Sequence, residues 1–120
     1  MQNIIENEWN WPEDLDALIA APRHHKLLFE NEIVRIIYAF ISPGDTTEIH
    51  THKWPASLYI LSWSDFVRYD KDYNVLLDSR SLSMESLSGK VIWSEPLTLH
   101  ALKNVGNTDL HVIATEIKQK

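Results

Sequence analysis

The sequence predicts an all-β fold, an antiparallel sandwich or barrel, with one short helix before it. From residue 25 onward, short apolar runs follow one another at roughly even spacing. Turn-forming residues separate the runs, as in SPGD at residues 42–45, where Pro presets one backbone angle and Gly permits a positive one. A chain of 120 residues, 44% of them apolar, can form one compact core.

The composition excludes several classes of protein. Without cysteine, the chain has no disulfide scaffold and no thiolate metal site. Seventeen acidic and 11 basic side chains give a net charge of −6, and the scattered Lys and Arg argue against a nucleic-acid partner. No apolar run approaches the length of a membrane span, and the N-terminus is acidic where a secretory signal is basic. We therefore expect a soluble, cytoplasmic protein that does not bind membranes.

The residues before position 25 predict the short helix. Pro12 suits the first position of a helix, with Asn10 or Trp11 as its cap. Three apolar side chains share one helix face at i, i+3, i+4 spacing: Leu15, Leu18 and Ile19. We thus divide the chain into an N-terminal extension, residues 1–24, and a β domain, residues 25–120.

The β domain divides into strands in order. In HKLLFENEIVRIIYAFI, two apolar runs flank the turn-like residues 30–32. SLYILSW and DFVRY follow as strands, and the polar residues 70–72 separate DFVRY from YNVLLD. Three more strands lie in residues 89–117, divided at residues 95–96 and 105–108.

Two histidines share one face of a predicted strand. Side chains i and i+2 project from the same face, about 6.5 to 7 Å apart. The imidazoles of His50 and His52 can therefore reach one ion at about 2.0–2.1 Å. Glu48 lies on that face too, as a further ligand or as an acceptor that orients a ring N–H. An H-x-H pair alone is also typical of an exposed alternating strand, so the metal hypothesis depends on residues elsewhere.

Two spaced motifs resemble those of the cupin superfamily. PGDTTEIHTH resembles the first motif, in which a Gly and five further residues precede H-x-H. GKVIWSEPLTLHALKN resembles the second motif. The positions that keep the family's spacing are Gly44, His50, His52, Gly89, His100 and Asn104. The resemblance covers about residues 25–117.

The resemblance implies an antiparallel jelly-roll barrel that holds one divalent metal ion at its mouth. It assigns His50, His52 and His100 as ligands, and it makes Asn104 a structural residue near a turn. Imidazole suits Fe, Mn, Ni, Cu and Zn alike, so the identity of the ion stays open. Because small cupins often dimerise, the resemblance also implies a homodimer.

The chain departs from the family's pattern at one ligand position. Cupins usually place a Glu four or five residues after the second His, where this chain has Ala56 or Ser57. The simplest site is thus a three-histidine one, like that of the thiol dioxygenases, with open positions for water or substrate. An open position is what a catalytic metal needs.

Three functional hypotheses follow. An iron or manganese centre fits a dioxygenase acting on a small organic molecule. A redox-inert ion fits a metal-dependent isomerase or a hydrolytic enzyme that uses Lewis-acid chemistry. The missing Glu instead favours a cupin that binds a small molecule without catalysis.

Period-2 counting from the histidine pair predicts the walls of the ligand pocket. Tyr38 and Phe40 precede the pair, Tyr59 follows it, and Trp93 comes from the second motif. Trp54 is the predicted rim residue. The remaining histidines have no ligand role in this interpretation: His111 is a surface or packing residue, and His24 and His25 precede the first strand without a suggestive spacing.

Overall fold

Two antiparallel sheets enclose a cavity in the computed structural model, which describes residues 9–82 and 85–119. Its strands are β1 (His25–Glu30), β2 (Val34–Ile41), β3 (His50–His52), β4 (Ala56–Ser62), β5 (Phe66–Tyr69), β6 (Val75–Asp78), β7 (Val91–Ser94), β8 (Leu97–Asn104) and β9 (Leu110–Ile117). One sheet has the order β1-β2-β9-β4-β7 and the other β3-β8-β5-β6. The predicted antiparallel jelly-roll fold is therefore confirmed.

The short N-terminal helix is confirmed, but its cap differs from the prediction. A 3₁₀ turn, Glu13–Leu15, follows Pro12 and leads into α1 (Ala17–Ala20). The N-cap of α1 is Asp16, whose Oδ2 accepts the N–H of Leu18 at 3.1 Å. Asn10 and Trp11 precede both turns, so the prediction that one of them caps the helix was wrong. No helix within the described ranges is long and apolar enough to cross a membrane.

Both motif glycines occupy turns that require a positive φ. Gly44 has φ +86° before β3, and Gly89 has φ +79° before β7. An L side chain is strained in this region, so glycine is the residue that these turns favour.

Asn104 at the end of β8 forms side-chain hydrogen bonds to neighbouring segments of the barrel. Its Nδ2 donates to the carbonyl oxygens of Ile41 and Thr108, each at 2.8 Å. Its Oδ1 accepts from Ser64 Oγ at 2.6 Å and from Gly106 N–H at 2.9 Å. With every polar atom of a fully buried side chain engaged, Asn104 stabilises the fold.

The interior changes character along the barrel. One end packs Ile41, Phe66 and Leu110 into a hydrophobic cluster, and burying such side chains stabilises by roughly 1.5–3 kcal/mol each. At the other end, the cavity is lined by three of the four buried imidazoles, those of His25, His50 and His100. Burying such polar side chains costs free energy unless they find partners. This polar end is the candidate site.

Candidate metal centre

Four histidines from three strands meet at the polar end of the barrel. His25 begins β1, His50 and His52 occupy β3, and His100 lies on β8 directly opposite His50. Residues opposite each other in an antiparallel pair share a face, so the sheet itself brings His50 and His100 together. The ring centroids lie 4.3 Å apart for His50 and His100, 4.7 Å for His25 and His50, and 5.3 Å for His52 and His100.

The nitrogen positions match those of ligands to one ion. One ligand atom from each of His25, His50 and His52 lies within 4.8 Å of the other two. The Nε2 atoms of His50 and His52 are 3.2 Å apart. Two nitrogens at about 2.0–2.1 Å from a common ion, at angles between octahedral and tetrahedral, are separated by about 2.8–3.4 Å. These three histidines could thus hold a metal ion.

Main-chain carbonyls fix the tautomer of three rings. Each ring donates its Nδ1–H to a carbonyl oxygen: His25 to Ala21 at 3.0 Å, His50 to Glu48 at 2.7 Å and His100 to Thr98 at 2.7 Å. Since a carbonyl oxygen only accepts, Nδ1 must carry the proton and Nε2 keeps its lone pair. In metalloproteins, a hydrogen bond from the ring nitrogen that does not bind the ion orients the imidazole in this way.

The same rings are held neutral by their surroundings. Burial lowers the pKa of His25 to about 4 and that of His100 to about 3, and the neighbouring His52 adds to both shifts. Burial, followed by the charges of His52, His100 and His25, also lowers the pKa of His50. Neutral imidazole is the form that binds metal, so at neutral pH the lone pairs are available without loss of a proton.

The fourth ring, His52, faces a buried carboxylate. Its Nδ1 lies 3.7 Å from Glu116 Oε2, longer than a hydrogen bond but within ion-pair range. Glu116 is almost fully buried, and its Oε1 accepts from Arg35 Nε at 2.8 Å. Arg35 in turn donates to both carboxylate oxygens of Asp16, at 2.6 and 3.1 Å. Because Asp16 caps α1, this network joins the N-terminal helix to the histidine cluster.

Glu116 stands close to where the expected carboxylate is missing. It pairs with Ala56 across β9 and β4, so the two side chains share the inner face. No local sequence pattern reports this pairing, because Glu116 lies 60 residues after Ala56 along the chain. The carboxylate lies on the adjacent strand instead of β4.

A cavity of about 140 Å³ adjoins the histidines. The four rings, Trp54 and two charged side chains, Arg68 and Glu116, lie on its wall. Most of the remaining wall is aliphatic and comes from both sheets: Ile37, Ala39, Ile41, Leu58, Leu97, Leu102, Leu110 and Val112. Such a mixture of apolar wall and few polar groups is typical of a small-molecule site.

The structure places four of the predicted pocket residues outside this wall. Tyr38 and Phe40 stack on the outer face of β2, while Ile37, Ala39 and Ile41 face inward. Tyr59 and Trp93 are also on the outer face, 41% and 56% exposed. Counting every second residue correctly separates the two faces of one strand. It cannot show which face of the next strand points inward once a loop intervenes. Of the predicted pocket set, Trp54 lines the cavity.

Glu48 contributes to the cluster through its main chain instead of its side chain. It lies in the loop before β3, where the strand alternation has not begun. Its Oε2 accepts from Arg23 Nε at 2.9 Å, and its carbonyl oxygen is the acceptor for His50 Nδ1. The carboxylate therefore neither joins the histidine nitrogens nor orients a ring, contrary to both roles expected of it.

His25 joins the cluster although no spacing in the sequence predicted it, and two other histidines lie outside the cluster. His25 enters because α1 and β1 bring it beside β3, a long-range contact that no spacing motif reports. His111 packs on the outer face against Tyr38 and Phe40, at 4.7 and 5.2 Å between ring centroids. The Nε2 of His24 pairs with Asp45 Oδ2 at 2.9 Å.

Solved structures share this architecture. A cupin domain from Bordetella pertussis Tohama I matches with a TM-score of 0.60 and 16% identity, over 79% of this chain and 92% of that one. An RmlC-like cupin with a double-stranded β-helix fold from Methanocaldococcus jannaschii matches at 0.55 and 13%, over 78% and 77%. The cupin domain of Schizosaccharomyces pombe Cnp3 matches at 0.53 and 14%, over 79% and 64%.

These matches show the cupin fold, so the fold that the two motifs implied is confirmed. No protein-family model and no curated protein sequence matches the chain. The protein thus combines a cupin fold with a cluster of histidines that could bind a metal ion.

Proposed function

We propose that the protein binds one divalent metal ion through His50, His52 and His100, with His25 as a fourth nitrogen donor. The observation that carries this is the shared orientation of the rings, since three of them donate Nδ1–H to carbonyl oxygens and retain an Nε2 lone pair. A buried group of neutral imidazoles that hydrogen-bond outward is what a metal site requires.

Metal analysis of protein purified without a histidine tag tests this proposal. The expected result is about one equivalent of Fe, Mn, Ni, Cu or Zn, bound as imidazole sites bind these ions. His50→Ala should lose the metal, while the matched control His111→Ala, on the outer face, should keep it. Substoichiometric metal that His50→Ala leaves unchanged would overturn the proposal.

We further propose that the protein is an enzyme, a dioxygenase that acts on a small organic molecule held in the cavity. A redox-active ion would supply the electron transfer that oxygenation needs, and the protein would bind the substrate and exclude water. Among the described wall residues Glu116 is the sole carboxylate, and Arg35 already engages it. With the four imidazoles of the wall engaged as metal ligands, the described wall offers no unpaired general base to an isomerase that works by acid–base catalysis, and this favours chemistry at the metal.

Oxygen consumption by the Fe(II)-loaded protein tests the enzymatic proposal. Phenolic, thiol and diketone compounds make a first panel, with protein lacking metal and His50→Ala as controls. Turnover that requires both iron and His50 supports a dioxygenase. Stoichiometric metal without turnover of any compound would favour the alternatives, a binding protein or a metal-dependent isomerase.

We propose a second copy of the chain as the protein partner. Tyr38, Ile113, Tyr59 and Val91 lie directly opposite one another in the register of four neighbouring strands, forming one apolar row across the outer face. The alternate positions of β2, β9, β4 and β7 on this face carry no Asp, Glu, Lys or Arg. A large uncharged apolar face favours pairing with an identical face related by two-fold symmetry.

A further inference from the structure

Within residues 9–82 and 85–119, one cation at the cavity has no anionic partner. Arg68 lies on β5, and its side chain lines the cavity. Its Nε is buried without a hydrogen-bond acceptor among the residues that the structure describes. The other three arginines of the chain are all paired with carboxylates, Arg23 with Glu48, Arg35 with Asp16 and Glu116, and Arg80 with Asp78.

The described residues around Arg68 do not supply a negative charge to pair with its guanidinium. Leu97, Leu102 and other aliphatic side chains form the wall beside it, and Phe66 lies with its ring centroid 5.9 Å from Arg68 Cζ. Glu116 is the other charged group of the wall, and Arg35 holds it at 2.8 Å. Burial lowers the pKa of Arg68, as expected for a cation moved away from water without a counterion.

The strand register places Arg68 beside the histidines. Arg68 pairs with Leu102 across β5 and β8, so these two side chains share a face. His100 is two residues from Leu102 on β8 and therefore points to the same face. The charge of Arg68 is one of the causes that lower the pKa of His100. A ligand in the cavity can thus contact the guanidinium and the histidine cluster together.

We propose that Arg68 binds the carboxylate of a small organic acid, whose hydrocarbon part occupies the aliphatic cavity. This inference rests on the proposed function, because the acid would lie beside the metal as its substrate. The planar guanidinium matches a carboxylate through two parallel N–H···O bonds. A cavity of about 140 Å³ limits the acid to a few carbon atoms, since an apolar cavity of about 150 Å³ holds benzene.

Butyrate and butyramide test the inference, because they differ little in shape and one of them lacks the charge. Calorimetric titration of the metal-free protein should show that butyrate binds at least about tenfold more tightly than butyramide, a ratio within the reach of one charged bidentate contact. Arg68→Met should abolish this preference. Arg80→Met, the same substitution at an exposed arginine paired with Asp78, should leave it unchanged.

A stability measurement and a second variant guard against loss of fold. In the absence of ligand, Arg68→Met should melt at the same temperature as the wild type or higher, because it removes a buried charge without a partner. Arg68→Lys keeps the positive charge but loses the bidentate hydrogen bonding of the guanidinium, so it should retain part of the preference for butyrate over butyramide.

Equal binding of the two compounds, binding of neither, or a preference that survives Arg68→Met would overturn the inference. Because these titrations use metal-free protein, their outcome is separate from that of the metal analysis. A chain that binds no metal but prefers butyrate through Arg68 would refute the metal centre alone.

Discussion

Acidification should unfold the metal-free protein through its buried histidines. Burial holds the pKa of His25 at about 4 and that of His100 at about 3, against an ordinary value of 6.5, and it lowers the pKa of His50 as well. In the unfolded chain all three titrate near 6.5. Between pH 6.5 and about 4 the unfolded state therefore binds more protons than the folded state, so stability present above pH 6.5 is lost as the pH falls.

The expected loss is large compared with the stability of a small domain. Each excess proton in the unfolded state changes the free energy of unfolding by about 1.4 kcal/mol per pH unit. With up to three excess protons, the loss reaches about 6 kcal/mol at pH 5. Domains of this size are stable by about 5–15 kcal/mol, so the metal-free protein should be partly or wholly unfolded near pH 5.

Urea denaturation of metal-free protein at pH 8, 7, 6 and 5.5 measures this dependence. His25→Asn removes one of the three groups and should reduce the slope by about a third. Leu76→Asn, which replaces an exposed side chain on β6 and changes no titratable group, serves as the control and should keep the wild-type slope. A free energy of unfolding that changes by less than about 1 kcal/mol between pH 7 and 5.5 would show that burial does not lower these pKa values.

Two further predictions concern the carboxylate beside His52 and the outer face. Glu116→Gln should weaken the binding of Ni²⁺ by about 10- to 100-fold, as measured by competition with a chelator. Asp45→Asn, which alters the pair with His24, should leave the affinity for Ni²⁺ unchanged. Equal affinities of Glu116→Gln and the wild type would contradict a role for Glu116 at the metal. Trp93→Glu should convert the dimer to a monomer in sedimentation velocity, because the new carboxylate would be buried in the proposed interface. Leu76 on β6 is equally exposed, and Leu76→Glu should leave the dimer intact. An unchanged mass for Trp93→Glu would place the interface elsewhere.

The sequence predicted the parts of the fold and site that depend on local pattern. Alternating apolar runs and turn residues predict the strands, and the H-x-H pair places two imidazoles on one face because i and i+2 always share a face. The two motif spacings connected His100 to His50, and the register confirms that these residues lie opposite each other.

The parts that it could not predict depend on long-range register. His25 reaches the cluster from another strand, and Glu116 faces His52 from β9, more than 60 residues along the chain. Neither contact has a spacing signature in a single sequence. The inward face of β2 likewise required its pairing partners, which is why the outward-facing Tyr38 and Phe40 were assigned to the pocket.

Titration of the ¹⁵N-labelled protein with Zn²⁺, followed by the imidazole nitrogen signals, tests the metal centre most directly. All six histidines lie in the described part of the chain, and each ring contributes its own pair of nitrogen signals. If the four rings bind one ion, the Nε2 signals of His25, His50, His52 and His100 should shift and saturate at one equivalent, while those of His24 and His111 stay in place. Shifts confined to His24 and His111, or none that saturate at one equivalent, would contradict it.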